Sequence, residues 1–221
     1  MTKYLQTTPN IVSFTDYATG VIISDTQVLT AASIFDIKPV TVQVRVGNTF
    51  RLSGGYFFEN VTYKIHDSYN RVTGENDVAI ITINGSFTGL TSVKPIELET
   101  SELVGSAQSP INCSIVGCYV DYNLILADYT LSTDAVCAAT LNSIVPASLQ
   151  CASSLTGYGC YMDKGSAVVC NNRLYGIFRL IPECNATTKQ PTHSFAKLPA
   201  SSIRSFIFPK KSYFACPCNT C

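Results

Sequence analysis

"GVIISDTQVLTAASIF", residues 20–35, is dense in Val, Ile, Leu and Thr, the side chains that suit a pleated, packed surface, and most of it reads as β-structure. Runs of the same character recur along the chain: "VTVQVRV" (40–46), "VTYKI" (61–65), "DVAIITI" (77–83), "CSIVGCYV" (113–120), "SAVVC" (166–170) and "RLYGIFRLI" (173–181). Breakers such as "SGG" (53–55), "NG" (84–85) and "NN" (171–172) separate several of them. "TVQVRVG" alternates apolar and polar residues, as a half-buried strand should. Many short strands at this spacing suggest barrels or sandwiches. Helical periodicity is scarce. It is best in "PASSIRSFIFPKK" (199–211), where Pro199 can start a short helix and Pro209 stop it, and a second short helix is expected near "TDAVCAATLN" (133–142). The polar stretch 98–110 is the natural join between two halves, 1–105 and 106–221.

Of the 221 residues, 46% are hydrophobic and 14% charged, which is a folded rather than a disordered composition. Lys plus Arg equals Asp plus Glu at 15 each, so a neutral chain gives no electrostatic case for nucleic acid or an anionic membrane. No apolar run approaches the roughly 18 residues of a membrane span. All ten cysteines fall within 113–221. Their number allows a disulfide framework or a metal site, and their spacing, with His66 and His193 far apart, favours disulfides. Four glycosylation sequons, at Asn60, Asn84, Asn112 and Asn185, agree with a secreted protein. Met1 to Asn10 has no apolar core and is not itself a secretion signal.

Four stretches, in order, resemble the chymotrypsin-like serine proteases. Residues 20–35 resemble "GSLISDxWVLTAAHCF", "ENDVAIITI" (75–83) resembles "NDIALIKL", "CYMDKGSAVVC" (160–170) resembles "CxGDSGGPLVC", and "RLYGIFRL" (173–180) resembles "xLVGIVSW". The resemblance runs from about Pro9 to Phe208. It implies an all-β fold of two six-stranded antiparallel Greek-key barrels packed face to face, with a short C-terminal helix. Family enzymes cleave through a serine activated by a histidine that a buried aspartate orients. Here the aspartate position is Asp77, but Ser33 stands for the histidine and Lys164 for the serine. Met162 and Asp163 stand at the oxyanion turn, with Met162 in place of a glycine.

The implied substrate pocket is altered as well. Tyr158 stands where a trypsin-like enzyme carries its specificity aspartate, Arg179-Leu180-Ile181 replaces "SWG", and Thr192 or His193 replaces a further glycine. Neither His66, in a segment matching a surface strand, nor His193 is placed to substitute for the missing base. No "IVGG" tetrapeptide is present whose freed ammonium could neutralise Asp163. A buried Asp163 would therefore lack its cation, which is costly. Either Lys164 folds back onto it, or Lys164 points outward from a collapsed turn, or Lys164 is a solvated surface lysine.

The resemblance also implies bridges Cys113–Cys170, Cys137–Cys151 and Cys160–Cys184, while the histidine-loop bridge is lost to Ala18 and Ile34. Cys118 and the tail cysteines Cys216, Cys218 and Cys221 can pair among themselves or leave one for a second chain. The implied function is non-catalytic. The expectation is a secreted homologue that binds an unidentified protein partner as cofactor, decoy or regulator, with no cofactor or metal of its own. The competing expectations are a hydrolase with residual or relocated activity and a disulfide-linked structural component.

Overall fold

The computed structural model describes residues 4–9, 18–36, 42–47, 54–106, 108–118, 124–157, 164–179 and 191–209. The first half is one antiparallel sheet of seven strands: β1 (Tyr4–Pro9), β2 (Ala18–Ile22), β3 (Gln27–Thr30), β4 (Val42–Val46), β5 (Tyr56–Phe58), β6 (Thr62–Ile65) and β7 (Ala79–Thr82). Their order across the sheet is β5-β4-β1-β2-β3-β7-β6. The second half is a closed six-stranded barrel: β8 (Asn112–Cys118), β9 (Leu124–Leu131), β10 (Leu149–Thr156), β11 (Ala167–Cys170), β12 (Arg173–Phe178) and β13 (Thr192–Lys197). The expected barrel of the second half is thus present. The first half carries one strand more than the six expected, because "YLQTTP" inserts between β2 and β4.

The opening stretch explains itself in this frame. In β2 and β3 every residue but Gln27 is buried, since one face of the sheet fills its own core and the other meets the barrel. Val21 and Leu29 pack with Ala167, Leu174, Ile177 and Ile203 in the core between the halves. Their neighbours Ile22 and Val28 turn the other way, onto Phe35, Val44, Ile81 and Phe87. A third cluster, with Tyr129, Tyr175, Phe178 and Phe195, fills the barrel. Strands with both faces covered read as continuous apolar runs, and "GVII" is such a run.

Two helices complete the fold. The first, α1 (Asp134–Leu141), is capped by Thr133, whose hydroxyl accepts from the Val136 amide at 3.4 Å, and it ends at Asn142 in the left-handed region (φ 48°). The second, α2 (Ser201–Ile207), buries Ile203 and Ile207, one turn apart, in the core between the halves. Disulfides join Cys137 of α1 to Cys151 of β10, and Cys113 of β8 to Cys170 of β11. The segment expected as a join is pinned to the barrel. The Glu99 amide donates to the Leu174 carbonyl and the Leu174 amide to the Glu97 carbonyl, both at 2.8 Å. The Leu103 amide donates at 3.2 Å to the Tyr175 hydroxyl, which itself donates to Gln150 Oε1 at 2.6 Å.

Candidate functional site

Asp77 is buried just before β7, and its placement begins with its neighbour. Asn76 takes the left-handed conformation (φ 53°) and is buried. Its amide donates to Ser148 Oγ at 3.0 Å, its side-chain amide donates to the Ser68 carbonyl at 3.1 Å, and its Oδ1 accepts from Ser202 of α2 at 2.7 Å. Locked from three elements, Asn76 turns the next side chain inward. Asp77 is only 2% exposed.

A buried carboxylate must find donors or lose its charge. Asp77 Oδ1 accepts from the Ser33 amide at 2.7 Å, and Oδ2 accepts from the Ser33 hydroxyl at 2.9 Å. Ser33 belongs to the 3-10 turn Ala32–Phe35, which follows β3 and aims both donors at the carboxylate. Arg179, just past β12, brings its Nε to 3.6 Å from Oδ2. Burial pushes the Asp77 carboxyl above its ordinary value. The Ser33 amide, the Arg179 guanidinium, the Ser33 hydroxyl and the Lys164 ammonium all pull it back.

Arg179 spans the cleft. Its Nη1 donates to Ser194 Oγ of β13 at 3.2 Å, and its Nη2 donates to the Thr73 carbonyl at 3.5 Å on the far side. Nε is buried without a hydrogen-bond acceptor and faces only the Asp77 carboxylate. The guanidinium lies directly against Gly74, at φ +72°, where any Cβ would collide with it. Glycine at 74 is what lets the arginine in.

Lys164 lies on the opposite wall. It is half-buried, and its Nζ donates to the Ser33 carbonyl at 3.5 Å. Its own carbonyl accepts from the Thr19 amide at 2.8 Å and from the Thr19 hydroxyl at 3.1 Å. Gly165 (φ +89°) presses against the Thr19 carbonyl and Thr30 Oγ1, and Ser166 shares a 2.7 Å hydrogen bond with Thr19. These contacts fix the turn against β2, so Lys164 reaches across to the Ser33 turn. The expectation of an outward, solvated lysine is corrected. Its companion, Asp163, lies outside the described residues.

The structure brings Ser33, Asp77, Lys164 and Arg179 together. Sequence reasoning missed one relation in that set. It looked to Asp163, which lies outside the described residues, and did not foresee that Asp77 gathers cations, with Arg179 nearest. The available signal was the pairing of a retained aspartate with a lost histidine, which leaves a buried charge in need of a partner.

The two histidines serve elsewhere. His66 is buried rather than a surface residue: its Nδ1 accepts from the Ser68 amide at 3.0 Å, so its Nε2–H points at the Ser202 carbonyl, 3.2 Å away. His193 meets the Tyr129 hydroxyl through Nδ1 at 2.9 Å and packs on the Phe178 edge, and burial lowers its pKa to about 4. It lines a cleft of about 720 Å³ with Arg179, Ser194, Val72, Thr73 and Ile144. Tyr158, Met162, Leu180, Ile181, Cys160, Cys184, Asn185, Cys216, Cys218 and Cys221, together with the Cys118 side chain, lie outside the described residues. Among the described residues no His, Cys, Asp and Glu cluster could hold a metal ion, and no helix is long and apolar enough to cross a membrane.

Known proteins place this geometry. Trypsin delta of Drosophila melanogaster is 27% identical over 166 residues, which are 72% of this chain and 66% of that protein. The chain thus spans just under two thirds of that relative's length. Hypodermin-A of Hypoderma lineatum is 26% identical over 86% of the chain and 76% of its own length, and trypsin-3 of Homo sapiens is 30% identical over 72% and 54%. Among solved structures, the scabies mite inactivated protease paralogue S-D1 superposes with a TM-score of 0.76 at 20% identity, covering 94% of this chain and 92% of that one. That likeness is one of fold. The Trypsin family model matches residues 4–198, through both sheets, and the chain belongs to the trypsin family, with the chymotrypsin-like fold.

Proposed function

We propose that this chain is a non-catalytic member of the trypsin family that acts outside the cell by binding a protein partner. One observation carries the reading: Ser33 donates to Asp77, the Arg179 guanidinium faces it as counter-ion, and neither His66 nor His193 stands between Asp77 and residue 164. Acyl transfer in this family needs a nucleophile and a base that takes its proton. The lysine ammonium at 164 has no lone pair to attack with. The guanidinium of Arg179 stays charged and accepts no proton. Arg179 also bridges Ser194 to Thr73, across the gap a substrate would enter.

The rival reading is a relocated hydrolase using Ser33, whose hydroxyl donates to Asp77 at 2.9 Å. Against it, Ser33 is buried, and both Asp77 oxygens are already engaged by Ser33, with Arg179 beside them. A fluorophosphonate probe followed by intact-mass measurement separates the two. No adduct is expected. A stoichiometric adduct that vanishes in Ser33→Ala would establish the hydrolase.

Secretion is supported by the bridges Cys113–Cys170 and Cys137–Cys151, which persist in oxidising compartments. The partner's surface on this chain is expected among the loops that a rigid barrel presents. Chemical cross-linking in native extracellular fluid, with mass spectrometric identification, tests the binding role; a chain that stays uncoupled throughout would count against it.

A further inference from the structure

The first sheet ends on two short strands with exposed rings. Among the described pairings, β5 and β6 are the outer strands. On β5, Phe57 is 58% exposed and Tyr56 is exposed too, and on β6 Tyr63 is exposed. Outer strands with bare backbone and apolar side chains invite pairing with another chain. Proteins commonly blunt such edges. Here Arg45 covers part of Phe57, 5.1 Å from the ring centroid, and between Tyr56 and Ile65 the charged residues are Glu59 and Lys64.

The connection between these strands is Glu59-Asn60-Val61, and Asn60 opens the triplet Asn60-Val61-Thr62. Asn60 stands at a turn with φ 53°, and both it and Thr62 are exposed. Thr62 pairs with Thr82 of β7, two residues before the second triplet, Asn84-Gly85-Ser86, which is exposed throughout. Phe58 and Phe87 meet edge to face at 5.2 Å, drawing the two turns to one end of the sheet. Asn84 lies seven residues beyond Asp77, at the far end of β7, a span of at most about 23 Å at about 3.3 Å per extended residue.

Asn112 is differently placed. It begins β8, is paired with Thr130, and precedes Cys113, which is buried and bridged to Cys170. Strand β8 lies between β9 and β11 in a closed barrel, so this triplet has neither a free edge nor a loop.

We propose that Asn60 and Asn84 are N-glycosylated as a pair, that Asn112 is not, and that the Asn60 glycan shields the β5 and β6 edges. The inference rests on the extracellular reading given above. The glycans stand at the end of β7 away from Asp77 and leave the cleft uncovered.

The test expresses the full chain behind a cleavable leader in glycosylating eukaryotic cells. Peptide-N-glycosidase digestion in heavy-oxygen water then reads each asparagine by peptide mass. Expected are the heavy-aspartate signature at Asn60 and Asn84 and unmodified Asn112. An empty Asn60 or Asn84, or an occupied Asn112, overturns the assignment. For the shielding role, Thr62→Val removes the triplet and keeps the Asn60 turn. Light scattering is expected to find self-association in this variant and in Asn60→Gln but not in the parent, and monodisperse variants would refute the role. Because the leader is supplied, these outcomes are independent of native secretion, which is read separately from the native extracellular fluid.

Discussion

Asp77 and His193 are both buried titratable groups, and the fold treats them in opposite ways. Asp77 keeps its charge within reach by gathering two donors from Ser33 and the guanidinium of Arg179. His193 has a neutral hydroxyl as partner, and burial drives it to the uncharged form. One group is paired and the other neutralised. The pairing links the two halves of the molecule, since Asp77 leads into β7 of the first sheet and Arg179 follows β12. The neutral histidine links only strands of the barrel.

The largest effect is expected on breaking the pair. Arg179→Met strands a buried carboxylate and should cost about 3–5 kcal/mol in denaturant unfolding. Its pH dependence sharpens the point. A carboxyl whose folded pKa is raised keeps a proton that the unfolded chain releases, so stability falls as pH rises through that window. Arg179→Met should therefore be more stable at pH 5 than at pH 7.5, and adding Asp77→Asn should restore part of the loss and flatten the dependence. A variant equally stable at both pH values would mean that Asp77 does not need its arginine.

His193 predicts the reverse slope. With its pKa lowered to about 4, the unfolded chain binds the extra proton between pH 6.5 and 4, so stability should fall on acidification. The loss should reach roughly 2–3 kcal/mol by pH 4, because each pH step of one across that window costs up to about 1.4 kcal/mol. His193→Gln keeps a polar partner for Tyr129 and should remove that component, as acid unfolding curves would report.

A smaller effect is expected at Gly74. Gly74→Ala places a methyl group against the guanidinium at φ +72° and should cost about 1–3 kcal/mol. The loss should shrink in the Arg179→Met background, which a double-mutant cycle measures. Lys164→Met should cost less than Arg179→Met, because Lys164 is part-exposed and is the weakest of the groups that draw the Asp77 carboxyl down. A loss as large as that of Arg179→Met would make Lys164 the principal counter-ion instead.

Much of this was readable along the chain. Residues 20–35 disclosed a strand pair buried on both faces, Pro199 and Pro209 bracketed α2, and the region around Thr133 disclosed α1. Strands β1, β10 and β13 escaped because "YLQTTP", "LQCASSLT" and "THSFAK" hold too few apolar residues to stand out, and β9 escaped although "LILADYTL" is apolar. Pairing with neighbours makes them strands, and that is a property of the closed sheet. His66 looked superficial because the α2 carbonyl that receives its proton comes from 136 residues later.

By itself the sequence determined the fold class, the site segments and the identities at positions 33, 77 and 164, because strand patterning and short motifs are local. Only the tertiary structure decided what neutralises Asp77. The partners come from residues 33 and 179, each remote in the chain, and a guanidinium reaches the carboxylate only where Gly74 leaves space and Ser194 holds it. Charge compensation depends on distance and burial, and neither is written in the order of residues.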